Sequence, residues 1–330
     1  MPKNMLFHRS LRCLAGVLAG AAMLAVPLAA LAAEEQPWPQ ARLITWIVGF
    51  APGGTDDVLA RAVARKLGEK TGQAVIVENR PGGSGLVALE AASRAPADGY
   101  TVVTVSGPTL FKQKAPEIGK ELTAIAMLAQ GPMVLVGTAA DAPADLSALL
   151  QAARREPGKW SYATSGAGSS QHLAGELLNT MAGTTMPHVP YRGGAAAVTD
   201  VIGGQVPLAM LGVTPVLAYV KAGKLKAYAV TTSHRSEVLP SVPTMEEAGL
   251  KGYEASQWYV AAAPRGTAPE RIAQLNTWIE AIVGAPEFKP TLDTGGSTAG
   301  KGSPEQTQEF VKGDTRRWKA LAEKARLGLE

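Results

Sequence analysis

The sequence predicts an α/β protein of two lobes, each built on a doubly wound sheet, joined by a two-segment hinge. Short β-branched runs alternate with longer Ala- and Leu-rich stretches of helical period, which predicts parallel strands linked by helices. The alternation occurs in two series of about 100 residues each, and no Pro-, Gly- or Ser-rich linker separates them. We therefore expect the chain to cross between lobes in extended segments near 129–131 and 228–232. One lobe is then 33–130 with 232–330, and the other is 131–231.

Each element of the first series follows from its local pattern. Residues 43–48 and 101–105 are rich in β-branched side chains, which favours strands, and 75–77 is a third run of this kind. The stretch 57–71 carries its apolar residues on one helical face, and 86–94 is an Ala- and Leu-rich helix.

The second series repeats the alternation, and a helical tail follows it. The predicted helices lie at 145–155, 169–181, 195–202 and 215–222, and the predicted strands at 161–163, 186–189, 207–211 and 225–231. The tail consists of two further helices, at 269–283 and 304–325. Ligands of open α/β sheets bind at the carboxyl ends of the strands, so the loops that follow the strands are the candidate binding loops.

The N-terminal residues predict export. Basic residues, Lys3 among them, precede an apolar run at 14–28, and the Ala-Leu-Ala at 30–32 is a small-x-small cleavage site. The run has about 15 residues, fewer than the roughly 20 that a spanning helix needs, so we predict a signal peptide at 1–32 and a periplasmic protein. Cleavage would remove 3 of the 32 Lys and Arg residues, leaving 29 against 28 acidic residues, and would remove Cys13, the sole cysteine. The balanced charge argues against nucleic-acid binding, and we expect no disulfide.

Six strand-to-helix loops are rich in glycine and hydroxyl side chains. They span 50–57, 79–85, 106–109, 164–170, 191–194 and 212–214. Glycine lets the backbone approach a ligand, and a helix that begins after such a loop presents unpaired N–H groups and the positive end of its dipole. Several such ends in one cleft would bind a carboxylate without an arginine. For the first loop, a purely structural turn capped by Asp57 is an equal alternative.

An enzymatic function finds little support in the sequence. It contains no G-x-x-x-x-G-K-[ST], G-x-S-x-G or H-E-x-x-H motif. After export only His172, His188 and His234 remain, without cysteine, so we predict no catalytic residue, no metal site and no cofactor. The alternatives to a binding protein for transport are a periplasmic α/β hydrolytic enzyme using Asp57 or His172, and a ligand sensor for a membrane kinase.

The same loops carry a series of multi-residue motifs. In chain order these are FAPGG at 50–54 with Asp57 and Ala60-Arg61, ENRPGG at 78–83, DGYT at 98–101, HVPYRG at 188–193, GKLK at 223–226, LPSVPT at 239–244 with EAG at 247–249, and Ala263-Pro264 through Pro269. Together they resemble the Bug family, the extracytoplasmic solute receptors of tripartite tricarboxylate transporters, over essentially the whole mature chain. The resemblance implies a two-lobed periplasmic-binding-protein fold and inner-membrane permease subunits as partners. It implies a di- or tricarboxylate, an amino acid or an aromatic acid as ligand. We further expect a monomer.

By position, the resemblance assigns the ligand site to two facing loops and to residues that close the pocket. The first loop contributes Phe50, Ala51, Pro52, Gly53, Gly54, Thr55 and Asp57, and the second contributes Thr164, Ser165, Gly166, Gly168, Ser169 and His172. Ser84, Ser106, Gly193 and Thr214 close the pocket. In that family these loops hold a ligand carboxylate through backbone amides, hydroxyls and ordered water.

Two residues depart from the family pattern. Asp56 stands where a small or hydroxyl residue is expected, and it would either repel a ligand anion or indicate an amine-bearing ligand. Pro207 replaces an expected acidic residue. Trp258 and Tyr259 either line the mouth of the cleft or belong to a core strand. The sequence thus predicts a periplasmic solute receptor that captures a small carboxylate in an interlobe cleft for a tripartite tricarboxylate-type transporter.

Overall fold

One 17-residue strand, β4 at Leu122–Thr138, runs through the middle of the fold. The computed structural model describes residues 37–108, 115–140 and 142–324, and within these ranges ten strands form one connected sheet. The predicted signal peptide at 1–32 lies outside the described residues. In the described part of the chain, no helix has both the length and the apolar character needed to cross a bilayer.

The other elements alternate largely as predicted, with bounds that differ mostly by one or two residues. The strands are β1 Ile44–Val48, β2 Val75–Asn79, β3 Thr101–Ser106, β5 Tyr162–Thr164, β6 His188–Pro190, β7 Leu208–Gly212, β8 Leu225–Val230, β9 Ser256–Pro264 and β10 Thr298–Ala299. The helices are α1 Thr55–Thr71, α2 Leu86–Ser93, α3 Leu146–Arg155, α4 Ser170–Ala182, α5 Gly194–Ile202, α6 Leu217–Lys221, α7 Pro269–Val283, α8 Lys289–Thr294 and α9 Pro304–Lys324. The elements β4, β10 and α8 are absent from the prediction. Strand β9 contains Trp258 and Tyr259, for which the sequence left a core strand as one of two alternatives.

Strand β4 joins two ladders of parallel strands. In the first ladder, β1 pairs in parallel with β2 and β3, and β9 lies antiparallel between β3 and β4. In the second, β5 pairs in parallel with β6 and β7, while β7 and β8 are antiparallel to β4. Parallel pairing is therefore confirmed for β1 with β2 and β3 and for β5 with β6 and β7, and it is wrong for β4, β8 and β9, whose ladders are antiparallel. The reason is that β4 leads the chain out of the first ladder and β9 brings it back, so the two run in opposite directions.

We call the first ladder with α1, α2 and α7 the first half, and the second ladder with α3 to α6 the second half. The predicted crossing at 129–131 lies inside β4, which stays continuous from one ladder to the next. The returning segment is tied to β4 by Thr231, whose amide donates to the carbonyl oxygen of Met133 over 2.9 Å. The amide of Ala255 in turn donates to the carbonyl oxygen of Thr231 over 2.9 Å. Strand β4 and the returning segment at Thr231 are thus held side by side.

Buried apolar clusters hold the helices against each ladder. In the first half, Val103, Trp258 and Val260 belong to one cluster. In the second half, Tyr162 and Leu173 pack in a cluster that also contains Trp318 from α9. Val311 of the same helix belongs to the cluster of the first half, so α9 packs on both halves. Complete burial of one such side chain contributes about 1.5–3 kcal/mol to folding. This packing fixes the positions at which the strand-end loops meet.

Candidate functional site

The loops that follow β1, β3, β5, β6 and β7 meet at one small cavity between the two halves. Its volume is about 30 Å³, which is room for roughly one or two water molecules. The lining residues are Phe50, Gly54, Thr55, Asp56, Ser106, Ser165, Gln171, Gly194, Gly212, Pro215, Gln257 and Tyr259. Among these described lining residues, Asp56 is the one charged side chain.

Two larger cavities lie elsewhere in the described part of the chain, and a third, of about 360 Å³, lies beside Glu176, Asn179 and His188 with none of the predicted site residues in its lining. One, of about 540 Å³, lies at the middle of β4 near Arg235 and Lys289, which are both paired with carboxylates. The other, of about 410 Å³, lies beside α9 near the ion pair of Glu309 and Lys312. None of the predicted site residues is among the described residues that line either cavity. The small cavity is therefore the candidate ligand site.

Three helices begin at this cavity. Helix α1 begins after Gly54 and α5 after Gly193, and neither N-cap residue has a side chain to bond the first turn. Helix α4 begins after Ser169, whose hydroxyl accepts a hydrogen bond from the amide of His172. First-turn N–H groups and aligned peptide dipoles give each helix start a partial positive charge. The cavity therefore favours an anion, although none of its described lining residues is Lys or Arg.

Hydrogen bonds between the two halves close the cavity. The hydroxyl of Ser84 donates to the carbonyl oxygen of Ala167, and the amide of Ala51 donates to the carbonyl oxygen of Arg192 over 3.1 Å. Gly166 leaves room for this contact, because a Cβ at that position would lie 2.5 Å from Ser84 Oγ and would force the hydroxyl to turn away. A ligand larger than water can enter only if these contacts separate.

Asp57 fixes the first loop and does not line the cavity. Its carboxylate accepts hydrogen bonds from Gly53 N over 3.1 Å, Arg61 Nε over 2.9 Å and Asn79 Nδ2 over 2.9 Å. Burial alone favours the neutral acid, but the hydrogen bonds from Arg61, Asn79 and Gly53 hold the pKa of Asp57 below its usual value. Asp57 therefore reaches back from the first turn of α1 and holds the glycine turn that precedes the helix.

Asp56, the adjacent residue, lines the cavity and is only 5% exposed. Ser106 Oγ donates to its Oδ2 over 2.9 Å, whereas Oδ1 makes no hydrogen bond of ordinary geometry with the described residues. Burial raises the pKa of Asp56 from 3.8 to about 7; the hydroxyls of Ser106 and Thr104 oppose this shift, and the neighbouring Asp57 carboxylate adds to it. The group therefore titrates near neutral pH.

Asp56→Asn is expected to remove a pH-dependent part of the folding stability. A carboxyl group whose pKa is raised on folding stabilises the folded state fully below its unfolded pKa near 3.8, and the contribution is lost as the pH rises through about 7. Between pH 5 and pH 8 the loss is about 2–3 kcal/mol. Urea unfolding of the wild type and of Asp56→Asn from pH 5 to pH 8 gives the difference between their free energies of unfolding at each pH. Because the other titrating groups contribute equally to both proteins, the change of this difference with pH is the contribution of Asp56. A difference that stays constant with pH would contradict the expectation.

Two polar side chains that the sequence did not assign to the site, and Tyr259, which the sequence placed either at the cleft or in a core strand, complete the cavity wall. Gln171 Oε1 accepts a hydrogen bond from the amide of Ser165 over 2.9 Å, and Gln171 Nε2 lies 3.5 Å from Gln257 Oε1, which links α4 to β9. Tyr259 lines the cavity, while its neighbour Trp258 lies in the core of the first half. Side chains alternate between the two faces of a strand, so Tyr259 is identifiable as a site residue once β9 is known.

His172 supports the second loop from outside the cavity wall. Its Nδ1 accepts a hydrogen bond from the amide of Gly168 over 3.2 Å, and its ring stacks on that of His188 with 3.8 Å between centroids. His188 Nε2 lies 2.7 Å from Thr164 Oγ1. Burial lowers the pKa of His172 to about 4 and that of His188 to about 3, the latter also through His172. Both rings are therefore neutral at neutral pH and position the loop.

The structure brings some of the predicted site residues together and leaves others in the surrounding loops. Those in the cavity wall are Phe50, Gly54, Thr55, Ser106 and Ser165. The others in these loops are Ala51, Pro52, Gly53, Asp57, Ser84, Thr164, Gly166, Gly168, Ser169, His172, Gly193 and Thr214. Pro207 precedes β7, where its carbonyl oxygen accepts a hydrogen bond from Thr138 N over 3.3 Å. No group of three or more His, Cys, Asp or Glu side chains in the described ranges could hold a metal ion.

Comparison with known proteins places this site in a family context. The sequence profile of the family described as "Tripartite tricarboxylate transporter family receptor" matches residues 59–327. A protein of a Pseudomonas species, described by its position in the tcbD-tcbE intergenic region, is 36% identical over 317 residues. The alignment covers 94% of this chain and 94% of the relative.

Solved structures agree with the sequence match. The structure of R. palustris Rpa4515 with adipate has a TM-score of 0.84 and 34% identity, and the alignment covers 87% of this chain and 98% of that one. MatC from Rhodopseudomonas palustris with bound malate has a TM-score of 0.80 and 27% identity, and the alignment covers 85% of this chain and 98% of that one. These matches confirm the predicted fold class. With a profile match from residue 59 to residue 327, the chain belongs to the tripartite tricarboxylate transporter receptor family.

Proposed function

We propose that this chain is an exported receptor that binds a small carboxylate between its two halves and presents it to the permease subunits of a tripartite tricarboxylate-type transporter. The observation that carries the proposal is the convergence of the N-termini of α1, α4 and α5 on one cavity. Two related structures support the ligand class, since Rpa4515 is described with adipate and MatC with malate, both of which are dicarboxylates.

Backbone amides at these helix starts are sufficient for useful affinity. A hydrogen bond from an N–H group to a charged carboxylate contributes about 1.5–3 kcal/mol. Four or five of them would leave about −8 kcal/mol after the costs of association, which corresponds to micromolar binding. The glycines at positions 53, 54, 193 and 194 allow the backbone to approach the ligand without a side chain in between.

The proposal includes a hinged closure of two lobes, 33–130 with 232–330 and 131–231. Two segments that run side by side between the halves support it, β4 and the returning segment that Thr231 ties to β4. Opening about these crossings would break the bonds from Ser84 to Ala167 and from Ala51 to Arg192, which now leave only about 30 Å³ of space. The ligand would then replace these contacts as the bridge between the lobes.

We propose no catalytic role for the two residues that an enzyme would use. The carboxylate of Asp57 is occupied by Gly53, Arg61 and Asn79. The imidazole of His172 accepts a hydrogen bond from Gly168 and is neutral. Export through cleavage of residues 1–32, a periplasmic location and a monomeric state complete the proposal.

Thermal unfolding in the presence of small carboxylates tests the proposal. At a hundred times its dissociation constant, a ligand of the folded state stabilises it by about 2.7 kcal/mol, which raises the melting temperature of a protein of this size by roughly 5 °C. We expect such a rise with at least one member of a panel of di- and tricarboxylates, amino acids and aromatic acids. If no member raises the melting temperature at millimolar concentration, the proposal is wrong.

A further inference from the structure

Asp56 is a buried carboxyl group with an unused oxygen at the candidate site. It lies in the cavity wall, its Oδ2 accepts a hydrogen bond from Ser106, and its Oδ1 has no hydrogen bond among the described residues. A buried polar atom without a partner costs about 1–3 kcal/mol, so a native protein leaves one only where something else supplies the partner. The position of Oδ1 makes the ligand the candidate for that partner.

The surroundings of Asp56 supply no positive charge from a side chain. The other described residues that line the cavity are uncharged, and the charged side chain that acts on Asp56 is Asp57, which is itself paired with Arg61. The hydroxyls of Ser106 and Thr104 and the dipole of α1 are the remaining favourable groups. A purely anionic ligand would bring a second negative charge against this carboxyl group, whereas a ligand ammonium group would neutralise it.

We propose that Asp56 accepts the ammonium group of the ligand, and that this receptor therefore selects an amine-bearing carboxylate over the corresponding carboxylate without the amine. The inference rests on the proposed function and names the ligand class of the same site. The carboxylate of the ligand binds at the helix starts, and its ammonium group binds Asp56 Oδ1.

The geometry of α1 suits a ligand in which the two groups are close together. Asp56 is two residues beyond Gly54, the N-cap residue, which is about 3 Å along a helix axis. An ammonium group on Asp56 and a carboxylate on the first amides of α1 would thus be separated by a few bonds, as they are on the α-carbon of an amino acid. The ligand class that fits is an α-amino acid, with its side chain directed toward Gln171, Gln257 and Tyr259.

Ligand pairs that differ only near the α-carbon test the inference. The pairs are adipate with 2-aminoadipate, malate with aspartate and propionate with alanine, each titrated by calorimetry into the wild type and into Asp56→Asn. We expect at least one amine-bearing member to bind the wild type ten or more times tighter than its counterpart. We expect Asp56→Asn to lose that preference, because the amide keeps the shape of the side chain and removes its charge. Asp145→Asn, which removes a charge at the start of α3 far from the cavity, should retain it.

The outcomes separate the inference from the function on which it rests. If in every pair the wild type binds the acid without the amine as tightly as its amine-bearing counterpart, the receptor function stands and the inference is wrong. The inference is also wrong if Asp56→Asn keeps the amine preference, since groups other than the Asp56 carboxylate would then recognise the ammonium group. If no member of any pair binds while another acid of the thermal panel does, the inference is wrong and the receptor function stands, whereas a panel in which nothing binds overturns both.

Discussion

Gly107→Ala is expected to weaken ligand binding about a hundredfold, or about 3 kcal/mol, with little change in the core of either half. Gly107 follows β3 in the first half and lies against Ser170, the first residue of α4 in the second half. A Cβ at this position would lie 1.6 Å from Ser170 Oγ and 3.0 Å from Ser170 Cβ, too close for the present arrangement. Rotation of Ser170 can remove the contact with its Oγ, but the contact with its Cβ remains, so the two halves would have to move apart by a few tenths of an ångström and the helix starts would no longer face one ligand at the same distances.

The affinity is measured by calorimetry with the most stabilising ligand of the thermal panel, and the extent of closure by the radius of gyration with and without that ligand. Gly204→Ala is the matched control. Gly204 has a φ of +72°, close to the +71° of Gly107, and no atom lies within 4 Å of its Cβ position. Both substitutions carry the backbone strain of alanine in the left-handed region, about 1 kcal/mol, but only Gly107→Ala obstructs the contact. Equal affinities for the two variants would contradict the closure in which Gly107 meets Ser170.

Gly175→Ala is expected to destabilise the protein by about 3 kcal/mol, although alanine is the better helix former. Gly175 lies inside α4, and a Cβ there would lie 2.2 Å from Tyr162 Cε2 and 2.4 Å from Cζ. The Tyr162 ring is 1% exposed and packs in the cluster that contains Leu173 and Trp318, so it has no free space to enter. Its displacement would also disturb the hydrogen bond from its hydroxyl to Glu176 Oε1, which is 2.6 Å long.

Gly313→Ala provides the comparison for this stability prediction. Gly313 lies inside α9, and no atom is within 4 Å of its Cβ position, so alanine should stabilise the protein by up to about 1 kcal/mol through helix propensity. Urea unfolding at constant pH gives both values. The two substitutions are chemically identical, so the opposite changes expected in the free energy of unfolding arise from tertiary contacts alone. Stabilisation by Gly175→Ala would show that Tyr162 does not pack against α4 as the structure has it.

Elements with a strong local pattern were predictable, and the element that organises the fold was not. Helix α1 was found to within two residues, because its apolar face repeats at helical spacing over four turns. Strand β4 was missed because Gln130, Gly131 and Pro132 interrupt its pattern. In the structure the pairing of β4 with β9 ends at Pro132, opposite Ser256, and the pairing with β7 begins at the next residue. Proline has no N–H group to donate, and at this junction between two ladders none is needed.

The same division holds for the candidate site. The loops could be located from sequence, because glycine and hydroxyl residues between a strand and a helix are a local signal. The orientation of adjacent side chains could not. Asp56 and Asp57 are neighbours on α1, yet Asp57 bonds its own loop and Asp56 lines the cavity. Trp258 and Tyr259 are likewise separated by the two faces of β9.

The sequence by itself determined the fold class, the loops that carry the site and, through its motifs, the family. Each of these depends on residues close together in the chain, where periodicity, turn residues and motifs act. Only the tertiary structure decided that β4 and β9 run antiparallel at the centre, that Gln171, Gln257 and Tyr259 complete the cavity, and that Asp56 is buried there with a free oxygen. The physical reason is that burial, register and the partners of a polar group depend on segments distant in sequence. At Asp56, for instance, Ser106 from β3 and Gln257 and Tyr259 from β9 supply the surroundings.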